Sequence, residues 1–214
     1  MRRASDRPCS TIRKGRACVT SRTGQPATRP DESSSTLLEG ARLRLRELPP
    51  LGRTIMRLGT TAERYRVELA SVAGVPLPDS PGRVSEHLPV ALWRSPLDWL
   101  ILTQPGYRPD MATRLREALG DATALVADIS DVASGTELSG EAASALLAKG
   151  CALDTSAWPE HGSFCVPAAC ARIPVLVHRT GPGRFWLHVD RSLAHYLRAW
   201  LGNAATEFDD SSSQ

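Results

Sequence analysis

Residues 91–102 read ALWRSPLDWLIL, and residues 176–189 read LVHRTGPGRFWLHV. Each sets an apolar segment on either side of a short connection containing Pro or Gly, the pattern of two antiparallel strands joined by a tight turn. In the first, Pro96 supplies the fixed φ that a turn takes at its second position, so strands are expected over 89–94 and 99–103. In the second, Thr180, Gly181, Pro182 and Gly183 form the connection, with strands expected over 175–179 and 185–189.

Working outward, the two hairpins have matching surroundings. Before the first, residues 53–58 (RTIMRL) predict a strand, and Ala62, Tyr65, Leu69 and Val72 then recur at helical spacing up to Gly74. Residues 75–85 contain Pro76, Pro78, Pro81 and Gly82 and read as a loop. After the first hairpin, Pro109 opens a helix whose Met111, Leu115 and Leu119 form an apolar stripe ending at Gly120. Around the second hairpin, a strand is expected over 124–129. Residues 135–140 then lead into a helix ending at Lys149 and Gly150, and a last helix runs from Ser192 to Leu201 and Gly202. Strand, helix, hairpin, helix occurs twice at a period of about eighty residues, and MRLGTTAERYRVELASVAGVPL (56–77) aligns with TELSGEAASALLAKGCAL (136–153). The expected fold class is α+β, built from a duplicated unit over 53–120 and 124–202 within a domain spanning 37–203.

The chain has 214 residues, 42% hydrophobic and 23% charged, enough to bury a sizeable core. Its net charge of +3 is unevenly placed: residues 1–36 hold eight basic and three acidic side chains, leaving a net −2 elsewhere. Ile12 and Val19 are the only large aliphatics in that stretch, so a disordered basic tail is expected. A nucleic-acid-binding arm would use the arginines on phosphates, but no aromatic is interleaved to stack on bases; an Arg-rich targeting segment is the other functional reading. Residues 204–214 read as a polar tail. No apolar run reaches the roughly 18 residues of a membrane span, and five irregularly spaced cysteines read as free thiols in a reducing compartment. A cytoplasmic location is expected.

Candidate chemistry is sparse. Lys149 stands two positions before Cys151, and an adjacent ammonium would lower a thiol pKa. The competing reading is a helix terminus, with Ser139 as N-cap, Glu141 in the first turn, Gly150 as a left-handed closing residue, Lys149 facing the dipole and Cys151 packing on Leu146. His161, Cys165 and Cys170, with Asp154 or Glu160 nearby, give three good zinc ligands at looser spacing than familiar sites. Cys170 also reads as a small apolar residue ahead of a strand. His178 and His188 fall on the two strands of one hairpin, on equal or opposite faces; His195 is in the last helix and His87 in a loop, and none has a local Ser or Asp partner. Asp128 and Asp131 are expected to cap a turn, and the segment around Pro182 lacks the following helix of a phosphate cradle. Of five tryptophans, Trp93, Trp99, Trp186 and Trp200 sit on the hairpins and final helix, suited to a core or an interface. No catalytic, cofactor-binding or metal-binding residue is assigned.

The blocks ALWRSPLDWLIL, ALVADIS, LLAKGCALD and IPVLVHRTGPGRFWLHVDRSLAHYLRAWL, in this order over about residues 50–202, resemble the gamma subunit family of heterotetrameric sarcosine oxidase. Its pattern is approximately ALWLGPDEWLL, VDVSH, LAKGCPLDL, VPVLLWRTG and V-x-RSFADYLxxWL. Trp93, Pro96, Asp98, Trp99 and Leu100 match the first block; Asp128 and Ser130 the second; Ala148, Lys149, Gly150, Cys151, Leu153 and Asp154 the third. Arg179, Thr180, Gly181, Arg191, Ser192, Tyr196, Leu197, Trp200 and Leu201 match the last. The departures are Arg94, Ser95 and Leu97 in the first block, Asp131 for His, Thr155 for Leu, Leu193 for Phe and His195 for Asp. The resemblance implies a fold like the folate-binding domain of the glycine-cleavage aminomethyltransferase. It also implies a subunit without catalytic residues of its own, inside an oxidoreductase that demethylates sarcosine to glycine. That reaction gives hydrogen peroxide and a one-carbon unit, taken by tetrahydrofolate or released as formaldehyde. It places FAD, FMN, NAD and zinc in the partner alpha, beta and delta subunits, with alpha the main contact. A free-standing folate-dependent aminomethyl-transfer protein on the same fold is the alternative.

Overall fold

Met56, Trp99 and Ile101 are buried on one side of a sheet, and Leu92, Leu100 and Leu102 on the other, since successive side chains of a strand face opposite ways. A sheet apolar on both faces has to be covered twice, and here it is covered by helices on one side and by a second sheet on the other. The computed structural model describes residues 35–40, 42–85, 88–104, 108–153 and 162–209. The strands are β1 (Thr36–Glu39), β2 (Arg44–Glu47), β3 (Gly52–Leu58), β4 (Val90–Ser95), β5 (Asp98–Thr103), β6 (Ala124–Asp128), β7 (Ala133–Ser139), β8 (Phe164–Cys170), β9 (Ile173–Gly181) and β10 (Arg184–Asp190). The helices are α1 (Arg66–Ala73), preceded by a 3-10 segment (Thr60–Tyr65), α2 (Arg108–Leu119), α3 (Ala143–Gly150) and α4 (Arg191–Asp209).

One sheet has the order β4-β5-β3-β6 and the other β1-β2-β7-β10-β9-β8, with antiparallel neighbours. Leu69, Met111, Leu115 and Leu119 pack α1 and α2 on the outer face of the first sheet. Leu146, Leu147, Leu197 and Leu201 pack α3 and α4 on the outer face of the second, over Leu138, Val177, Phe185 and Leu187. Between the sheets lie Leu51, Val90, Leu92, Leu100, Leu102, Cys165 and Leu176. The result is four layers, helix, sheet, sheet, helix.

The expected duplication is visible: β3, α1, β4, β5 and α2 are followed by β7, α3, β9, β10 and α4 in the same order. Registers agree, since Met56 pairs with Trp99 where Leu138 pairs with Phe185. Each unit also exchanges a strand. Strand β2 leads into β3 but pairs with β7, and β6 leads into β7 but pairs with β3. The connections cross where Leu48 N–H donates to Gly135 O (2.9 Å) and Ile129 N–H donates to Arg53 O (2.8 Å).

Several expectations change. Residues 135–139 lie in strand β7 rather than in an approach to a helix, so Ser139 is a strand residue, and α3 starts after Ala142 with no side-chain cap. Glu141 lies before the helix and pairs with Arg42 (2.6 Å). Cys170 ends β8, a strand the sequence conceals because Pro167 interrupts it; β8 is an edge strand, the place where a sheet tolerates proline. The last helix begins at Arg191 rather than Ser192 and is capped by Asp190, whose Oδ1 accepts from Ser192 N–H (2.8 Å) and Oγ–H (2.6 Å). Those two bonds hold the Asp190 carboxyl below its ordinary pKa. That helix runs on to Asp209, into the stretch read as a polar tail, because Ala205 and Phe208 continue its apolar stripe. Gly74 closes α1 as expected, with φ 68° and its N–H on Ala70 O and Ser71 O. Residues 1–34 and 210–214, and with them most of the basic tail, lie outside the described residues.

Candidate functional site

The polar side chains that the sequence offers for chemistry fall into three groups, one between the sheets, one at the rim of the first sheet and one at the end of α3. Between the sheets, the pairing of β8, β9, β10, β7 and β2 lines up Cys165, His178, Trp186, Glu137 and Arg46 across one face. His188 is one step along, beside Leu176 and Gly135, so the two histidines share a face. Their rings stack with centroids 6.1 Å apart and 21° between planes, and Trp186 meets each edge-on, at 5.6 and 6.4 Å. Trp186 Nε1–H donates to Glu137 Oε2 (3.0 Å).

His178 is 3% and His188 5% exposed, and none of their ring nitrogens has a hydrogen-bond partner among the described residues. Burial without a partner disfavours the charged imidazolium. It takes His178 down to about 4 and His188 well below its ordinary value, the latter also opposed by His178 and Arg53. Arg53 enters this layer from β3, 3% exposed, with Nη1 donating to Leu51 O (3.3 Å). Gly135 admits it: a Cβ there would stand 3.0 Å from Arg53 Nη2 and 2.6 Å from Leu48 Cδ1.

At the rim of the first sheet, Asp98 is buried and receives Arg57 Nη2 (2.7 Å), Arg57 Nε (3.0 Å) and Arg94 Nη1 (3.4 Å). Asp128 Oδ1 accepts from Ser130 N–H (2.8 Å) and Oγ–H (2.5 Å), the turn cap that was expected, and Ser130 Oγ in turn accepts from Arg53 N–H (2.8 Å). These carboxylates are engaged in fixing backbone and side chains.

The end of α3 differs from its expected form. Gly150 is the last helical residue rather than a left-handed closing one, and Cys151 follows in extended conformation, φ −112° and ψ 128°. Glycine is required for another reason: a Cβ at Gly150 would stand 2.2 Å from Trp200 Cη2 on α4. Lys149 pairs with Glu207 and lies 5.2 Å from the Phe208 ring centroid, tying α3 to the far end of α4. Replacing Gly150 with Ala is expected to cost about 1–3 kcal/mol, the range for overpacking. Replacing Gly202, where a Cβ meets nothing within 4 Å, should be neutral or stabilise by up to about 1 kcal/mol as helix propensity dictates. Urea unfolding of the two variants checks the contrast.

The zinc candidate divides. Cys165 faces the inter-sheet core, where its Sγ–H donates to Trp93 O (3.1 Å) and burial pushes the thiol up to about 12. Cys170, on the same strand, faces the opposite core with Cys151. A sheet separates the two sulfurs, so they cannot serve one ion. His161, Asp154, Glu160 and His87 lie outside the described residues, and no three acidic, Cys or His side chains among the described residues are grouped to hold a metal. An open cleft of about 550 Å³ beside the end of α1 is lined by Val75, Pro76, Pro78, Val84 and Pro89, with Arg83 as its charged described lining residue. Among the described residues, no other charge-bearing group singled out above lines that cleft. No helix among the described residues is long and apolar enough to cross a membrane.

Two sheets between two layers of helix, built from a duplicated unit, define an α+β class of fold. The particular family is set by comparison: residues 65–207 match the sarcosine oxidase gamma subunit family, and the chain belongs to it. It is 32% identical over 142 residues to sarcosine oxidase subunit gamma of Corynebacterium sp. (strain P-1), covering 65% of this chain and 69% of that one. It is 32% identical over 142 residues to the subunit gamma of an Arthrobacter species, with the same coverage. In structure it is similar to a chain of the heterotetrameric sarcosine oxidase from Corynebacterium sp. U-96 in complex with pyrrole 2-carboxylate. There the TM-score is 0.72 at 27% identity, over 83% of this chain and 91% of that one. A far weaker likeness, TM-score 0.49 at 14% identity, is to glycine cleavage system aminomethyltransferase T from Bartonella henselae.

Proposed function

We propose that this chain is the gamma subunit of a heterotetrameric sarcosine oxidase, and that its role there is structural. The observation that carries the reading is the continuous family match over 65–207 together with a shared fold over 91% of a chain of such an enzyme. The structural role draws support from what the polar groups do. Asp98 holds two arginines, Asp128 caps a turn, Glu137 anchors Trp186 and Cys165 ties β8 to β4. In this reading the complex works in the cytoplasm, oxidatively demethylating sarcosine to glycine with release of hydrogen peroxide. FAD, FMN, NAD and zinc are held by the alpha, beta and delta subunits, and alpha is the surface against which this chain packs.

Co-expression with the other three subunits followed by gel filtration is expected to bring this chain into the assembled oxidase in equal proportion. Omitting it should lower the recovery of active complex rather than the turnover of each assembled one. A chain that stays monomeric beside an assembled, active oxidase would sink the proposal. Titration of the isolated chain with tetrahydrofolate is expected to show no saturable heat or fluorescence change; saturable binding would favour a folate-dependent transfer protein instead.

A further inference from the structure

Cys151 and Cys170 are buried at 3% and 0% exposure and sit opposite each other as an isolated antiparallel bridge between the end of α3 and the end of β8. Ala171 N–H donates to Gly150 O (2.9 Å). That bond joins the residues flanking the pair rather than the pair itself, which makes this the narrow kind of antiparallel pair, with Cα atoms roughly 4.5 Å apart and side chains at their closest. A disulfide accepts Cα separations of about 4.4–6.8 Å, so the pair lies inside that range and at its short end.

The local backbone holds this arrangement firmly. Ala171 and Arg172 turn β8 into β9 with φ of 51° and 70°, values that side-chain-bearing residues adopt at a cost and keep only where surroundings enforce them. Here Ala171 is held on both sides, its N–H by Gly150 O and its carbonyl by Tyr196 O–H (3.0 Å) from α4. Gly150 is fixed in turn by Trp200. The two sulfurs therefore face each other without backbone movement.

We infer that Cys151 and Cys170 form a reversible redox pair, closing to a disulfide when a small hydroperoxide reaches them. The inference does not depend on the oxidase reading. In the first step the Cys170 thiolate attacks the O–O bond, becoming a sulfenic acid while the peroxide's other oxygen leaves as hydroxide or alkoxide and takes a proton. In the second, Cys151 sulfur displaces the sulfenic oxygen as water, its thiol proton going to that oxygen. Two thiols lose two electrons and two protons, and one O–O bond is reduced to water and an alcohol, or to two waters with hydrogen peroxide. The assignment of roles follows from the hydrogen bond between them: Cys151 donates to Cys170, which lowers the Cys170 thiol and, with burial, raises that of Cys151. The cycle closes when a thiol reductant such as glutathione reopens the disulfide by thiol–disulfide exchange.

The test uses the full chain carrying Cys9→Ser and Cys18→Ser, treated with graded hydrogen peroxide, alkylated after unfolding and mapped by mass spectrometry. Cys151 and Cys170 should disappear together into one linked peptide pair lighter by two hydrogens, with Cys165 still alkylatable. Glutathione at a cytosolic ratio should restore both. Cys170→Ser should leave Cys151 alkylatable at the same peroxide dose, and Cys151→Ser should abolish the linked peptide pair while leaving Cys170 as a sulfenic acid that dimedone traps. Both thiols still alkylatable after peroxide, no dimedone adduct at Cys170 in Cys151→Ser, or a linked pair that glutathione fails to reopen would each overturn the inference.

Discussion

Replacing His178 and His188 together by leucine is expected to remove most of the chain's loss of stability in mild acid. In the folded protein both imidazoles are held neutral, His178 down to about 4 and His188 well below its ordinary value. Unfolded, each takes a proton near pH 6.5. Above that pH neither state is protonated and the pair contributes no pH dependence. Below it the unfolded chain binds protons that the folded chain refuses, so stability falls as pH falls, by about 1.4 kcal/mol per pH unit for each histidine. From pH 7 to pH 5 the natural chain should lose about 4 kcal/mol on this account, while the double variant keeps that amount. Leucine is the informative replacement because the first unit already carries it: the registers put Leu92 where the second unit has His178, and Leu102 where it has His188. At pH 7 the double variant should be at least as stable, since four unpartnered buried nitrogens are gone. Urea midpoints at pH 7 and pH 5 settle it; equal acid losses in the two chains would show that the protons go elsewhere.

The second large effect belongs to Trp99. It is 1% exposed, fills the layer under α1 and α2, and donates its Nε1–H to Pro78 O (2.7 Å), tying the proline-rich loop to β5. Trp99→Ala is expected to cost about 3–5 kcal/mol through the cavity it leaves, enough to unfold a marginal domain. Trp99→Phe should cost about 1–3 kcal/mol, the carbonyl left without its donor, because the second unit packs Phe185 at the matching register. Denaturation with unchanged m-values would separate the two; equal losses would mean that volume has no part in the effect.

The hairpins, α2 and the end of α1 were legible because each is specified by neighbours in sequence. Pro96, Gly74 and the Met111, Leu115, Leu119 stripe act within a turn or two of themselves. What was not legible is specified from afar. Strand β7 shows neither alternation nor β-branched density, because Gly135 has to admit Arg53 from the facing sheet and Glu137 has to receive Trp186 from β10. Gly150 looked like a helix terminator, yet the ring that demands it stands fifty positions on, at Trp200. The same holds for the polar residues. Sequence put His178 and His188 on one hairpin but could not choose their faces; the register between β9 and β10 chose. Cys165 and Cys170 looked like companions at close spacing, and an odd offset along one strand sends them into different cores.

The exchanged strands bear on how such a chain can exist at all. Because β2 completes the sheet of the second unit and β6 that of the first, neither unit is closed by its own residues. A chain divided between α2 and β6 would yield two pieces, each lacking one strand and holding the strand the other lacks. Folding is therefore a single cooperative event dominated by contacts distant in sequence, slow to nucleate and hard to undo in part. The same geometry describes the step before duplication: one ancestral unit could satisfy its sheet only by trading its leading strand with a second copy of itself. The tandem repeat then reads as a swapped dimer whose partners became covalently joined.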